Sequence, residues 1–216
     1  WRRDTWCVSS KVFWGGDEPT RKGLFRKHVI EGCHQALERL QVDYLDLYFC
    51  HRPDLNTPIV ETVAAMTDLV RQGKILYWGT SEWTARDIAL AHAAAARDNL
   101  VAPVMEQPQY NLFTRECFEV DYSRLYKGGG LGTTVWSPLS RGELVGHYLE
   151  EKGGKFVVSK QGNAWLKEAG LPPGYEARVH KVAAFACIAR ELEITPARLA
   201  LAWVLKNSNV TTAILG

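Results

Sequence analysis

A chain of 216 residues, 46% hydrophobic and 23% charged, has the apolar content for a sizeable core and falls outside the disordered class. Its formal net charge is only +2, and Lys and Arg are mixed with Asp and Glu, so nothing in the charge pattern calls for nucleic acid or a membrane surface. No apolar run approaches the roughly 18 residues needed to span a bilayer and no signal-peptide pattern is recognised, which places the protein in the cytosol. Cys7, Cys33, Cys50, Cys117 and Cys187 lack C-x-x-C spacing and read as buried thiols of a reducing compartment, with neither disulfides nor zinc implied.

In chain order, Trp6 to Lys11 reads as a strand, Gly15 to Pro19 as a loop, and Lys22 to Leu40 as a helix with Val29, Cys33, Ala36, Leu37 and Leu40 on one face. Tyr44 to Asp54, Y-L-D-L-Y-F-C-H-R-P-D, is the central stretch: a nearly continuous apolar run that suits a strand buried on both faces. Pro53 ends it, leaving His51 at its C-terminal edge. Thr57 is expected to cap a helix whose first residue is Pro58, with Gly73 as its end. Lys74 to Thr80 is a third strand, and Thr84 with Asp87 resembles a capping box opening a helix to about Asn99. Val104 to Gln107 is a fourth strand, Arg115 to Lys127 a helical stretch stopped by Gly128-Gly129-Gly130, and Thr133 to Trp136 a fifth strand. From Ser137 to Gly174 the pattern is lost, with a short helix near Trp165. Helices follow over Glu176 to Leu192 and from Thr195-Pro196 to Lys206, and Thr211 to Leu215 is a sixth strand.

Strands alternating with crossovers long enough for parallel pairing argue an α/β protein. Six β/α units are too few to close an eight-stranded barrel, so the sheet is either open and doubly wound or a piece of a (β/α)8 barrel. No G-x-G-x-x-G follows any strand, which favours the incomplete barrel, as a single domain over residues 1–216. In such a barrel the C-terminal strand edge carries the site, which separates His51 from an ordinary solvated loop histidine and Lys11 from a snorkelling surface lysine.

Five segments resemble the aldo-keto reductase family in order and in place. They are S-S-K-V-F-W-G (Ser9 to Gly15), C-H-R-P-D (Cys50 to Asp54), G-K-I-L-Y-W-G-T-S-E-W (Gly73 to Trp83), E-Q-P-Q-Y-N (Glu106 to Asn111) and W-S-P-L (Trp136 to Leu139). They look most like the branch containing the beta-subunits of voltage-gated potassium channels. The resemblance implies a TIM (β/α)8 barrel, here about six units of eight, and reduction of a carbonyl by hydride from NADPH. A family tyrosine protonates the substrate oxygen, a lysine held by an aspartate lowers the tyrosine's pKa, and a histidine orients the carbonyl. Lys11 and His51 match the lysine and histidine. The aspartate and tyrosine belong to units before Trp1, and no residue of this chain matches either.

By the same matching, Ser81 and Gln107 fit the pair that holds the nicotinamide carboxamide, and Trp136 the aromatic that stacks on its ring. Ser137, Pro138, Leu139, Ser140 and Arg141 fit a turn along the pyrophosphate, although W-S-P-L also reads as a plain strand-ending turn. His147 stands where relatives carry a lysine near the phosphates, Lys160 is a loose candidate for a later basic contact, and Gly216 matches the first residue of a phosphate-binding turn. The expected cofactor is NADPH/NADP+ with no metal. The resemblance leaves open a soluble carbonyl reductase, a cytoplasmic beta-subunit that docks as a tetramer on a potassium channel alpha subunit with slow or vestigial chemistry, and a non-functional fragment. His51 favours the first, because many channel beta-subunits carry asparagine there. The Gly73 to Trp83 stretch favours the second.

Overall fold

The computed structural model describes residues 2–153, 155–168 and 176–215, which fall into two compact units: residues 1–108 with 116–134, and residues 109–115 with 135–216. In the first unit, strands β1 (Ser9–Val12), β2 (Leu45–Cys50), β3 (Ile75–Thr80), β4 (Met105–Glu106) and β5 (Gly132–Trp136) lie side by side in chain order. Each pairs in parallel with the next, and β5 continues into the second unit, where its neighbour is β8 (Thr212–Ile214). Helices α1 (Arg26–Leu40), α2 (Ile59–Arg71) and α3 (Ala85–Asp98) return the chain between the first four strands. The fold is therefore an incomplete (β/α)8 barrel, as expected from the alternation of strands and helices.

Register sorts the sheet into two faces. Lys11, Phe49, Gly79, Met105 and Gly132 form one row, and Val12, Cys50, Thr80, Glu106 and Thr133 form the next. Strand residues alternate between faces, so the two rows point to opposite sides of the sheet. Val12, Tyr48, Cys50 and Trp78 pack with Val29, Cys33, Val63, Met66 and Ile88 in one core, which makes theirs the helix-covered side. Tyr48 and Trp78 are fully buried there; the Tyr48 hydroxyl donates to Val29 O at 3.4 Å, and Trp78 Nε1 donates to Val101 O at 2.9 Å.

Several boundaries move for local reasons. Helix α1 starts at Arg26 because the expected first turn is spent on a strap to Asp54: Gly23 (φ +102) donates to Phe13 O at 2.8 Å and Leu24 N–H donates to Asp54 Oδ2 at 2.7 Å. A Cβ on Gly23 would meet that carboxylate oxygen at 2.5 Å, so the close approach needs glycine. Thr57 does not cap α2, since its hydroxyl donates to Asp54 Oδ2 at 2.8 Å and Pro58 occupies the cap position. Thr84 does cap α3, accepting from Asp87 N–H at 3.1 Å, and Thr195 caps α7 (Pro196–Lys206). The helical stretch after Arg115 is a π turn over Cys117–Asp121 followed by α4 (Ser123–Gly129). Cys7 is exposed, contrary to the reading of all five thiols as buried, because the first strand begins only at Ser9.

The second unit holds the largest correction. Residues expected to be irregular form an antiparallel hairpin of β6 (Leu149–Lys152) and β7 (Lys155–Val158), followed by α5 (Lys160–Glu168), the helix expected near Trp165. L-E-E-K and K-F-V-V are too short and too charged to show alternation. Helix α6 (Glu176–Glu191) and α7 follow, and Leu144, Tyr148, Val182 and Ala200 form this unit's core. Pro172-Pro173 and Gly216 lie outside the described residues.

One contact in the sheet is tight enough to test. A Cβ on Gly79 would lie 2.3 Å from Met105 O and 2.4 Å from Met105 Cγ. In the full-length protein Gly79→Ala is expected to lower stability by about 2 kcal/mol through overpacking, read as a lower urea midpoint with an unchanged slope. A midpoint equal to wild type contradicts the packing described.

Candidate active site

The strand ends of the first unit are continued by backbone bonds one residue past each strand. His51 N–H donates to Val12 O at 2.9 Å, Ser81 N–H to Cys50 O at 2.9 Å, and Gln107 N–H to Thr80 O at 2.8 Å. These bonds seat His51, Ser81 and Gln107, and the β1–β2 register seats Lys11, at the C-terminal edge of four successive parallel strands, the edge where such barrels carry chemistry. Ser81 Oγ donates to Gln107 O at 2.9 Å and is almost fully buried, so its lone pairs remain for an incoming donor. Gln107 Nε2 donates to Thr134 Oγ1 at 3.0 Å, which fixes the orientation of that amide.

The charge of Lys11 reaches His51. Burial, then the charges of Arg52 and Lys11, lower the pKa of His51, so the imidazole is neutral at pH 7 and offers one N–H donor and one acceptor. Lys11 is exposed by surface area, yet enough protein surrounds its ammonium for burial to lower its pKa below the usual lysine range. Beyond His51, Asp54 collects the 23–24 strap, the Asn56 N–H at 2.9 Å and the Thr57 hydroxyl; burial pushes its pKa up, but these hydrogen bonds outweigh it and hold the carboxyl below its ordinary value.

In the second unit Trp136 ends β5 and is half-buried. Ser137, Ser140 and Arg141 all adopt left-handed backbone, with φ of 54°, 52° and 54°. Three non-glycine residues in that region within one turn cost about 1 kcal/mol or more each and must be held by the surroundings. Ser137 Oγ accepts from Arg141 N–H at 3.1 Å, Ser140 N–H donates to Ser137 O at 3.0 Å, and Asn111 Nδ2 donates to Ser137 O at 3.0 Å. Pro138 is buried, Leu139 half-buried, and Arg141 exposed. Ser140 is buried with its hydroxyl donated to Glu143 Oε2 at 3.1 Å, and Glu143 in turn pairs with Arg178 at 3.4 Å. Trp136, Ser137, Pro138, Leu139 and Arg141, with Leu201 and Ile214, line an open pocket of about 660 Å³, within the roughly 300–1,000 Å³ usual for small-molecule sites. His147 is exposed and packs edge-on against Tyr148, while Lys160 is the first residue of α5.

The sequence matches the Aldo/keto reductase family over residues 1–216. The chain belongs to the aldo/keto reductase family. Two probable voltage-gated potassium channel beta subunits, from Arabidopsis thaliana and Oryza sativa subsp. japonica, are each 44% identical to it across its whole length. The chain spans 65% of the length of either relative.

This aldo/keto reductase chain also holds, beside the candidate site, residues to which the sequence alone assigns no role. Glu106, inside the quoted E-Q-P-Q-Y-N segment but given no role, is fully buried on β4 beside Gln107. Burial raises its pKa to about 8, against the opposing pull of the Thr80 hydroxyl and the Glu82 and Trp83 N–H groups. A carboxyl between Met105 and Gln107 in a two-residue buried strand is the signal that was there to find. Asn111 and Glu143 were likewise unassigned; their contacts with the 137–141 turn are visible only in three dimensions.

NMR titration of the histidines in the full-length protein is expected to place His51 below the ordinary imidazole value, and Lys11→Met is expected to raise it, since a repelling cation is gone. Because the folded value lies below the unfolded one, the His51 contribution to stability is complete above the unfolded pKa and declines as pH falls through it. A His51 pKa unchanged by Lys11→Met contradicts the proximity described.

Proposed function

We propose that the protein is an NADPH-dependent reductase that converts aldehydes or ketones to alcohols. The observation that carries the reading is the placement of Lys11, His51, Ser81 and Gln107 at four successive strand ends, the positions that the family motifs assign to carbonyl and carboxamide.

The residues fit a nicotinamide dinucleotide. Ser81 Oγ, already donating to Gln107 O, is an acceptor for a carboxamide N–H, and the fixed Gln107 amide lies on the adjacent strand end. In the second unit, family matching assigns the half-buried Trp136 indole to the ring, and the 137–141 turn with the exposed Arg141 guanidinium is suited to a pyrophosphate. Ser140 acts from within the turn, its hydroxyl being committed to Glu143, and Gly216 is kept as a phosphate contact by the family match alone. His147 is the weakest phosphate candidate, since family matching expects a lysine at its position.

The nicotinamide supplies the hydride when bound. Neutral His51 donates its N–H to the substrate carbonyl oxygen and holds it at the strand edge. Lys11, in its charged form, lowers the pKa of the proton donor, which family matching assigns to a tyrosine outside this chain. The ammonium thus favours release of the phenolic proton to the forming alkoxide.

A second reading has a specific observation behind it. Both relatives above are named as probable voltage-gated potassium channel beta subunits, which supports a channel beta-subunit reading; the family resemblance adds to it a cytoplasmic tetramer that binds NADP(H) and docks on an alpha subunit, with slow or vestigial turnover. No described helix is long and apolar enough to cross a membrane.

Steady-state NADPH oxidation with 4-nitrobenzaldehyde, alongside fluorescence titration of NADPH, separates the two. In the full-length protein His51→Asn is expected to lower turnover about a hundredfold, roughly 2.7 kcal/mol of barrier, with cofactor affinity nearly unchanged. Lys11→Met is expected to cost at least as much. Wild-type turnover no faster than His51→Asn across a panel of carbonyls, with tight NADPH binding retained, overturns the reductase reading in favour of the channel subunit.

A further inference from the structure

The turn after β3 carries Ser81, and little of it is held by regular secondary structure. Glu82 sits in left-handed backbone at φ 58°, and Thr84 begins the cap of α3 two residues later. Three side-chain and backbone ties converge on residues 80–83. Ser81 N–H reaches Cys50 O, the Tyr122 hydroxyl donates to Trp83 O at 2.5 Å, and the Thr80 hydroxyl donates to Glu106 Oε2 in a short contact. The Glu82 and Trp83 N–H groups also face the Glu106 carboxyl, while its second oxygen, Oε1, is fully buried without a hydrogen bond of its own. A buried carboxyl kept in this state costs stability unless it does something that an apolar residue would not. Its place in the chain is informative: Glu106 reaches the turn that carries Ser81, and its own carbonyl neighbour in sequence is Gln107.

We propose that Glu106 is a positioning residue for the carboxamide subsite, tying the Ser81 turn to the Gln107 strand from the helix-covered side of the sheet. The proposal rests on the cofactor reading given above. Glu106 touches neither substrate nor cofactor. It acts by holding residues 80–83 against β4, so that Ser81 Oγ and the Gln107 amide keep one spacing. The protonated carboxyl is the competent form, because Oε1 is buried without a hydrogen bond and an ionised carboxylate would leave charge there unpaired, whereas Oε2 keeps the Thr80 contact in either state. Ionisation would leave a charge among Glu82 in the turn, Cys50 on β2, and Cys117 and Tyr122 on the segment leading into α4, none of which supplies a cation.

Two ligands distinguish positioning from mere folding. NADPH carries the carboxamide, whereas 2′,5′-ADP lacks the nicotinamide altogether. In the full-length protein Glu106→Leu is expected to weaken NADPH about tenfold and leave 2′,5′-ADP within twofold, while Glu106→Gln, which mimics the protonated acid, restores NADPH binding to within about threefold at pH 7. Wild-type NADPH affinity is expected to fall as pH rises through about 8, and the Glu106→Gln profile is expected to be flat over the same range. Equal weakening of both ligands by Glu106→Leu, or no weakening of either, overturns the proposal. If that variant fails to fold, a Glu106→Gln profile that tracks wild type above pH 8 overturns it. Wild-type protein that binds neither ligand defeats the cofactor reading and this proposal together; binding of both with unaltered Glu106 variants defeats this proposal alone.

Discussion

Parallel pairing carried one residue beyond each strand is the constraint on which the first unit's site depends. The bonds from His51 N–H to Val12 O, Ser81 N–H to Cys50 O and Gln107 N–H to Thr80 O fix where each strand hands over to its loop. A side chain on a free loop would have to be ordered at a cost in conformational entropy. Here the backbone is already committed by the sheet, so His51, Ser81 and Gln107 start from fixed Cα positions. The same ladder sets the face on which each residue lies, since a slip of one residue would exchange Lys11 and Val12 between the sheet's two sides.

The two sides are used differently. The row of Lys11, Phe49 and Gly79 looks away from the helices, and glycine at position 79 lets Met105 lie against the strand where any Cβ would clash. The row of Val12, Cys50, Thr80 and Glu106 faces the helices, where burial drives the Cys50 thiol far above its ordinary pKa and leaves it inert as a nucleophile. The polar pair at the end of that row, Thr80 and Glu106, lies directly behind the residues that present Ser81 and Gln107. In the second unit a comparable arrangement recurs by other means: Asn111, Ser137 and the Glu143–Arg178 pair brace three left-handed residues in one turn. Arg178 also stacks on the Phe113 ring at 4.3 Å, which anchors the pair to the chain beside Asn111.

Legibility from sequence followed the range of the interactions. Strand β2 could be read because Leu45 to Cys50 is a dense apolar run stopped by Pro53, and the α3 cap because Thr84 and Asp87 meet within one turn. Lys11, His51, Ser81, Gln107 and Trp136 were found at the ends of such elements, where motif and pattern agree. The start of α1 differs from the expected one because Gly23 N–H binds Phe13 O and Leu24 N–H binds Asp54, thirty residues away, and no local preference reports that. The β6–β7 hairpin was missed because Glu150, Glu151 and Lys152 break its alternation. Glu106 and Glu143 carry no such local signal, because what makes them informative is burial with a distant partner, Thr80 in one case and Arg178 in the other.

The central claim is that these strand ends hold a nicotinamide cofactor by its carboxamide. A crystal structure of the full-length protein with NADP+ tests it most directly. The account predicts the carboxamide within hydrogen-bond distance of Ser81 Oγ and the Gln107 side-chain amide. Cofactor bound with its carboxamide remote from both Ser81 and Gln107 would contradict it.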